Sequence, residues 1–327
     1  MKDGFGREID YLRVSVTDRC NLRCFYCMPE EGVQTLTHSE ILRFEEILRL
    51  CKIAAAHGIK KIRLTGGEPL VRRGIEDLVR EIKAISGIEK VAITTNGILL
   101  AEKLDDLCEA GLDMVNISLD TLDKEKFFKI ARREPDGLSK VLAAIDMCVE
   151  RGLNTKVNVV AMQGINDNEF VALAGLAKDR DISVRFIEYM PVGKNDVGKH
   201  IPNDKIREVL EGIYGEMVPD ERIYGNGPAV YYKPKGFVGR IGFISAMTNC
   251  FCKDCNRVRL TAEGYLKLCL QYNTGVSLRG LIRGGASDEE ISKVFADAIL
   301  QKPREHTFND YLEKKEIEDK GMSKIGG

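Results

Sequence analysis

The sequence predicts an α/β protein built around a parallel sheet, and three observations carry that reading. Short apolar, β-branched runs alternate with helical segments over the first two-thirds of the 327 residues. Several helical segments end on a glycine (Gly58, Gly111 and Gly152), where a left-handed cap is expected. Polar clusters follow the strand-like runs at corresponding places. In chain order, strands are expected at Tyr11–Thr17, Lys61–Thr65, Lys90–Thr95, Met114–Leu119, Thr155–Ala161 and Ser183–Ile187. Helices are expected near Phe44–His57, Ile75–Ile85, Ala101–Ala110, Leu138–Arg151 and Asn168–Asp179. Such alternation makes a parallel sheet with right-handed crossovers. Six strands are too few for a closed eight-stranded barrel, which leaves an open partial barrel or a doubly wound sheet.

The polar clusters share one geometry. Cys20 and its neighbours follow the first strand, Gly66-Gly67-Glu68-Pro69 the second, Thr95-Asn96-Gly97 the third, Ser118-Leu119-Asp120 the fourth and Glu188-Tyr189-Met190 the sixth. Ligands of parallel α/β folds sit outside the carboxyl ends of the strands, so one rim would carry all of these loops. Beyond Met190 the pattern changes. Pro191–Gly198 and Tyr224–Pro228 are turn-rich, Ala229–Lys233 and Phe237–Ile244 read as strands, and a helix with a Ser287/Glu290 capping box begins near Ser287. A boundary is expected within 215–228, dividing a larger unit, residues 1–220, from a smaller α+β unit, residues 221–327.

A net charge of −1 argues against a wholesale nucleic-acid or anionic-membrane binder. The longest apolar stretches, such as Ile53–Ala56, are far too short to span a bilayer, and the N-terminus has no apolar signal core. A cytoplasmic, reducing compartment is expected, where ten cysteines serve as metal ligands or buried thiols rather than disulfides.

Two incomplete cysteine sets stand out: Cys20, Cys24 and Cys27 at C-x3-C-x2-C, and Cys252, Cys255 and Cys269 at C-x2-C-x13-C. For the first trio, zinc would favour a fourth cysteine or histidine, and the nearest histidine, His38, has no partner. A redox dithiol needs only Cys24 and Cys27, leaving Cys20 unexplained. A four-iron cluster with one iron lacking a protein ligand uses all three. For the second trio a structural zinc site stands beside the cluster reading. Cys51, Cys108 and Cys148 lie in helical patterns and read as buried thiols, and Cys250 as a flanking one.

With Tyr26 before its last cysteine and Gly66-Gly67-Glu68-Pro69 downstream, the first trio resembles the signature of the radical S-adenosylmethionine (SAM) superfamily. The second trio, together with Arg13–Cys20, Ile62–Pro69, Thr94–Gly97, Asn116–Asp120, Lys156–Asn158, Arg185–Glu188 and the terminal Ile325-Gly326-Gly327, is similar to the GTP 3′,8-cyclase family of molybdenum-cofactor biosynthesis. The similarity covers essentially the whole chain. Two departures are Gln271, where the family commonly has phenylalanine, and the extra Cys250.

The resemblance implies an incomplete (β/α)6 barrel of the TIM type and two [4Fe-4S] clusters. SAM would be cleaved at the first cluster, and GTP would be held through guanine at the second. It implies SAM contacts at Tyr26, Gly67, Ser118 and Met190, and GTP contacts at Arg13, Arg63, Thr94, Lys156, Arg257 and Arg259. It further implies a diglycine tail reaching into the site, an electron donor, and a downstream pterin-forming enzyme as partners of a monomer or homodimer. A peptide maturase with an auxiliary cluster is the nearest enzymatic alternative. A non-catalytic iron–sulfur or zinc nucleotide-binding protein is the alternative from another class.

Overall fold

The computed structural model describes residues 1–192, 199–222, 225–306, 318 and 320–326. Most of the turn-rich Pro191–Gly198 stretch, Tyr224, part of the charged C-terminal stretch and Gly327 therefore lie outside the described residues. The six expected strands are present as β1 (Tyr11–Ser15), β2 (Lys61–Thr65), β3 (Lys90–Thr95), β4 (Met114–Ser118), β5 (Asn154–Ala161) and β6 (Ile182–Glu188). Between them lie α1 (Phe44–Ala56), α2 (Ile75–Lys83), α3 (Leu100–Glu109), α4 (Lys124–Ala131), α5 (Gly137–Glu150) and α6 (Phe170–Gly175). Gly58, Gly111 and Gly152 take φ of +87°, +90° and +63° just beyond α1, α3 and α5, the left-handed conformation expected of them.

The last third adds α7 (Asn203–Tyr214), β7 (Met217–Pro219), β8 (Val230–Pro234), β9 (Arg240–Ile244), β10 (Arg257–Leu260), β11 (Tyr265–Lys267), β12 (Gly275–Ser277), α8 (Leu278–Arg283), α9 (Asp288–Leu300) and α10 (Met322–Ile325). Ser287 and Glu290 cap α9 reciprocally, by bonds of 3.2 and 2.8 Å. The C-terminal strands join the first sheet. One sheet runs β12-β11-β10-β1-β2-β3-β4-β5-β6-β9-β8-β7, with β10 parallel to β1 at one side and β9 parallel to β6 at the other. Eight central strands are thus parallel, and antiparallel hairpins finish both sides. The sheet is open.

Strand alternation sets the chemistry of its two faces. Leu12, Val14, Ile62, Leu64, Val91, Ile93, Val115, Ile117, Val157, Val159, Val184 and Phe186 point outward, fully buried beneath the helices. The intervening positions hold Arg13, Arg63, Thr94, Asn116, Ser118, Lys156, Asn158 and Arg185. A parallel sheet covered on both faces is normally apolar on both, so a polar inner face marks a lined cavity. A cavity of about 330 Å³ takes lining residues from every one of the eight parallel strands, from Arg257 in β10 through Arg13, Thr65, Thr94, Asn116, Asn158 and Ile187 to Ile244 in β9. Laid flat, eight strands at about 4.8 Å spacing would span about 34 Å. The outer strands reach the same cavity because the sheet curls around it. No described helix is long and apolar enough to cross a membrane.

Candidate active site

The first trio sits on the loop leaving β1. The Cys27 and Met28 amides donate to the Cys24 carbonyl at 2.8 and 3.1 Å, winding Cys24 and Cys27 onto one turn. The neighbouring loop after β2 clamps this segment, with Gly67 N donating to Thr17 O at 2.7 Å and Glu68 N to Arg19 O at 2.8 Å. Such an approach requires glycine. A Cβ at Gly67 would lie 2.4 Å from Arg19 O, and one at Gly66 2.6 Å from Thr17 O. The Glu68 carboxylate then ties in the loop after β3, accepting from Leu70 N (3.0 Å), Thr95 Oγ1 (2.7 Å) and Asn96 N (2.7 Å).

Burial pushes the Cys20 thiol up to about 11, with Glu68 adding to it. Burial and the Cys20 charge push Cys27 up to about 12, and burial with Cys27, Cys20 and Asp120 raises Cys24 well above its ordinary value. Three thiols within electrostatic reach of each other and unfavourable as thiolates fit a cationic iron core, which would relieve their mutual repulsion. Tyr26 donates to Asp120 Oδ2 at 2.6 Å, while Asp120 Oδ1 accepts from Val160 N at 2.8 Å. Tyr26, Gly67, Ser118 and Met190 all line the cavity.

The second trio lines the same cavity. A single 3₁₀ turn, Cys252–Asp254, carries its first cysteine, and Arg7 Nη1 anchors that turn by a 2.8 Å bond to Cys252 O. Its surroundings are cationic where those of the first trio are acidic. Burial raises the Cys255 thiol, but Lys302, Arg257 and Arg259 overcome it and bring the group down to about 7. Lys302 is itself buried and donates to Leu268 O at 2.6 Å. Cys250 is exposed; a ring nitrogen of His306 and the sulfurs of Cys250 and Cys252 lie within 4.8 Å of one another. Of the remaining cysteines, Cys51 and Cys148 are buried and Cys108 half-buried.

Below the rim lies a cationic layer. Arg13 is in register with Arg63 on one side and Arg259 on the other. Arg13, Thr94, Arg257 and Arg259 line the cavity; Arg63 and Lys156 lie deeper, 2% and 3% exposed. Arg63 reaches across Ala92 to Ile93 O at 3.0 Å and Thr94 Oγ1 at 3.3 Å, and its Nε donates to the Tyr11 hydroxyl. Two further buried cations, Lys61 and Arg185, belong to this layer and were not among the expected contacts. Both sit at the alternate positions of their strands, in phase with Arg63 and Lys156, and that phase is the signal that identifies them. Burial drives the Lys156 ammonium down to about 6, with Arg185, Lys61 and Arg63 adding to it, and Lys61 down to about 8. Among the described residues, Lys61, Arg63, Arg185, Arg257 and Arg259 form no ion pair with a carboxylate.

The C-terminus closes the mouth. Ile325 packs with Val192 against Met190, Met247, Leu270 and Met322. The Ser323 amide donates to the Cys27 sulfur. Gly326, at φ +78°, is so close to β1 and β2 that a Cβ there would lie 3.0 Å from Thr65 Oγ1 and 3.1 Å from Ser15 Cβ.

The Radical SAM superfamily domain matches residues 14–177 and the Molybdenum Cofactor Synthesis C domain residues 182–308. A GTP 3′,8-cyclase of Clostridium perfringens (strain 13) is 45% identical over 327 residues, with all of both chains covered. The chain belongs to the GTP 3′,8-cyclase family of the radical SAM superfamily. The cyclase of Pelotomaculum thermopropionicum is 45% identical over 332 residues, again across both full chains, and that of Syntrophomonas wolfei 48% over 95% of each. Among solved structures, SuiB of Streptococcus suis bound to S-adenosylmethionine aligns with a TM-score of 0.62 at 17% identity, covering 94% of this chain and 75% of that one. That likeness is one of fold.

Proposed function

We propose that this protein converts GTP to 3′,8-cyclo-7,8-dihydro-GTP, the first step of molybdenum-cofactor biosynthesis. One observation carries the reading: two cysteine trios face a single cavity whose floor is a buried layer of cations. The three thiols of Cys20, Cys24 and Cys27 would hold one [4Fe-4S] cluster and those of Cys252, Cys255 and Cys269 another. Held there with SAM bound beside it, the first cluster would supply the radical chemistry that takes a hydrogen from ribose C3′ and so lets C3′ join guanine C8.

The rest is positioning by this chain. Joining C3′ to C8 requires guanine, ribose and triphosphate to be held together, so the site must be long. Lys61 lies four residues below Thr65 along β2, about 13 Å at the rise of a strand, which gives it that length. Arg13, Arg63, Lys156, Arg257 and Arg259, joined by Lys61 and Arg185, are opposite in charge to a triphosphate, and arginine forks bind phosphate oxygens in pairs. Thr94 adds a hydroxyl at mid-depth. Tyr26, Gly67, Ser118 and Met190 form the SAM end, where the Asp120 bond fixes the Tyr26 ring. The curled sheet and the C-terminal tail keep water from the radical. Ten free thiols fit a reducing cytoplasm; an electron donor and a pterin-forming enzyme would act before and after.

The test is anaerobic cluster reconstitution followed by incubation with GTP, SAM and a reductant. Formation of 5′-deoxyadenosine in step with loss of GTP is expected. A fully loaded, reducible protein that yields neither overturns the assignment. Cys252→Ser should abolish GTP turnover while SAM binding persists.

A further inference from the structure

The cationic layer contains one group whose chemistry the reading above does not use. Tyr11 opens β1 on the inner face, 4% exposed, with Lys61 across the sheet on one side and Arg257 on the other. Its hydroxyl oxygen accepts a hydrogen bond from Arg63 Nε, and Lys61 Nζ lies 4.8 Å from the ring centroid. Arg13 from its own strand, Arg259 from β10 and Arg185 from β6 also act on it. Asp10, the neighbouring carboxylate, is held by the side-chain amides of Asn226 (3.0 Å) and Asn256 (2.7 Å).

Among the described residues, the Tyr11 hydroxyl has a donor but no acceptor for its own proton. A buried phenol in that position leaves its O–H unsatisfied, which is costly. A phenolate needs no acceptor and is surrounded by positive charge. The electrostatics agree with the geometry. Burial alone would raise this phenol, yet Arg63, Arg13 and Lys61 outweigh burial and bring it down to about 7.

We propose that Tyr11 is the resident counter-ion of the empty substrate site, a phenolate that takes up a proton when a polyphosphate arrives and then donates its O–H to that anion. The inference rests on the triphosphate occupying the cationic layer. The step balances simply: one proton from solvent bonds to the Tyr11 oxygen, and no electrons move. Tyr11 is thereby a positioning residue, holding Arg63 in place between turnovers and yielding to substrate charge.

The reconstituted enzyme at pH 8, without reductant, tests this in two ways. Near-ultraviolet difference spectra should show loss of a tyrosinate band when GTP or inorganic tripolyphosphate is added, and no such band in Tyr11→Phe. Calorimetry in two buffers of different ionisation enthalpy should show Tyr11→Phe taking up less of a proton than wild type on binding GTP. Because the Tyr11 anion raises the Lys61 ammonium, Lys61 in the variant starts less protonated and takes up more on binding, so the calorimetric difference is at most one proton and is read together with the spectrum. GTP binding with no tyrosinate loss in the wild-type protein overturns the proposal and leaves the cyclase reading intact. Tyrosinate loss with tripolyphosphate, but no binding of GTP, supports the counter-ion role and overturns the cyclase reading. The wild-type spectrum decides the matter even if the variant fails to fold.

Discussion

Replacing Gly67 by alanine tests the clamp between the β2 loop and the cysteine loop. The added Cβ would stand 2.4 Å from Arg19 O, 2.7 Å from Asp18 O and 2.7 Å from Arg19 C, all backbone atoms that no rotamer change can move aside. Ordinary contact begins near 3.4 Å, so the two loops must separate by about 1 Å. That separation stretches the Gly67–Thr17 and Glu68–Arg19 bonds. Overpacking costs about 1–3 kcal/mol and each of the two weakened bonds about 1 kcal/mol, so a loss of about 3–5 kcal/mol is expected at the first trio. Displacing a reacting centre by about 1 Å also costs about 100-fold in rate. Because the second trio is anchored elsewhere, by Arg7 and Lys302, its loading should survive. Iron per chain after reconstitution should fall from about eight towards about four, with SAM affinity reduced in parallel. A Gly67→Ala protein with full iron and wild-type SAM affinity would refute the clamp.

Three other outcomes follow from the site. Lys156→Met should stabilise the substrate-free protein by about 2–4 kcal/mol near pH 7 while abolishing tight GTP binding. The folded-state value of Lys156, about 6, lies below its unfolded value, so its penalty is largest below pH 6 and fades as pH rises towards 10. Urea midpoints across that range should show the gain shrinking as pH rises, and no gain at pH 7 contradicts the account. Tyr26→Phe removes the 2.6 Å bond to a buried carboxylate and should cost about 1–3 kcal/mol, read as weaker SAM binding with GTP affinity unchanged. Glu318→Gln leaves the Lys267 ammonium, paired at 2.5 Å and 1% exposed, without its counter-charge, a loss of about 3–5 kcal/mol. Hydrogen exchange should then quicken across residues 320–326, and unchanged exchange would rule out this pair as the anchor of the tail.

The six strands were legible because each is a β-branched run with a polar turn at its carboxyl end. Both trios and all four expected SAM positions line one cavity, but from opposite ends: the first trio follows the carboxyl end of β1, whereas Cys255 precedes the amino end of β10 and Cys269 follows β11 as it runs back alongside. Helix α6 is shorter than the expected Asn168–Asp179, ending at Gly175. Helix α4 has a weak sequence signature: its eight residues bury only Phe127, Ile130 and Ala131, too few for a clear stripe, although Asp123 caps it at 2.8 Å. Lys61 and Arg185 carry no signal of their own, because a charged residue in a strand looks solvated until its phase is compared across neighbouring strands. Tyr11 looks like ordinary core in one dimension; only the sheet pairing, with Lys61 on one side and Arg257 on the other, places it among guanidinium and ammonium groups. The attachment of β9 and β10 to opposite sides of the sheet has no local signature, because each pairing joins segments whose sequences carry no mark of one another.

That attachment has a consequence for how the molecule is made. β10 pairs with β1 across Tyr11↔Arg257, a separation of 246 residues, so the first strand synthesised waits for one of the last before its hydrogen bonds are complete. Closing such a long loop is slow relative to forming local helices. Until it closes, a nascent chain ending near residue 220 presents two bare parallel strand edges, the kind of surface that pairs with other chains. A truncated 1–220 fragment should therefore aggregate rather than form a stable half. The second trio arrives in the segment that completes the sheet, so the chain finishes folding and acquires its second metal site in the same event.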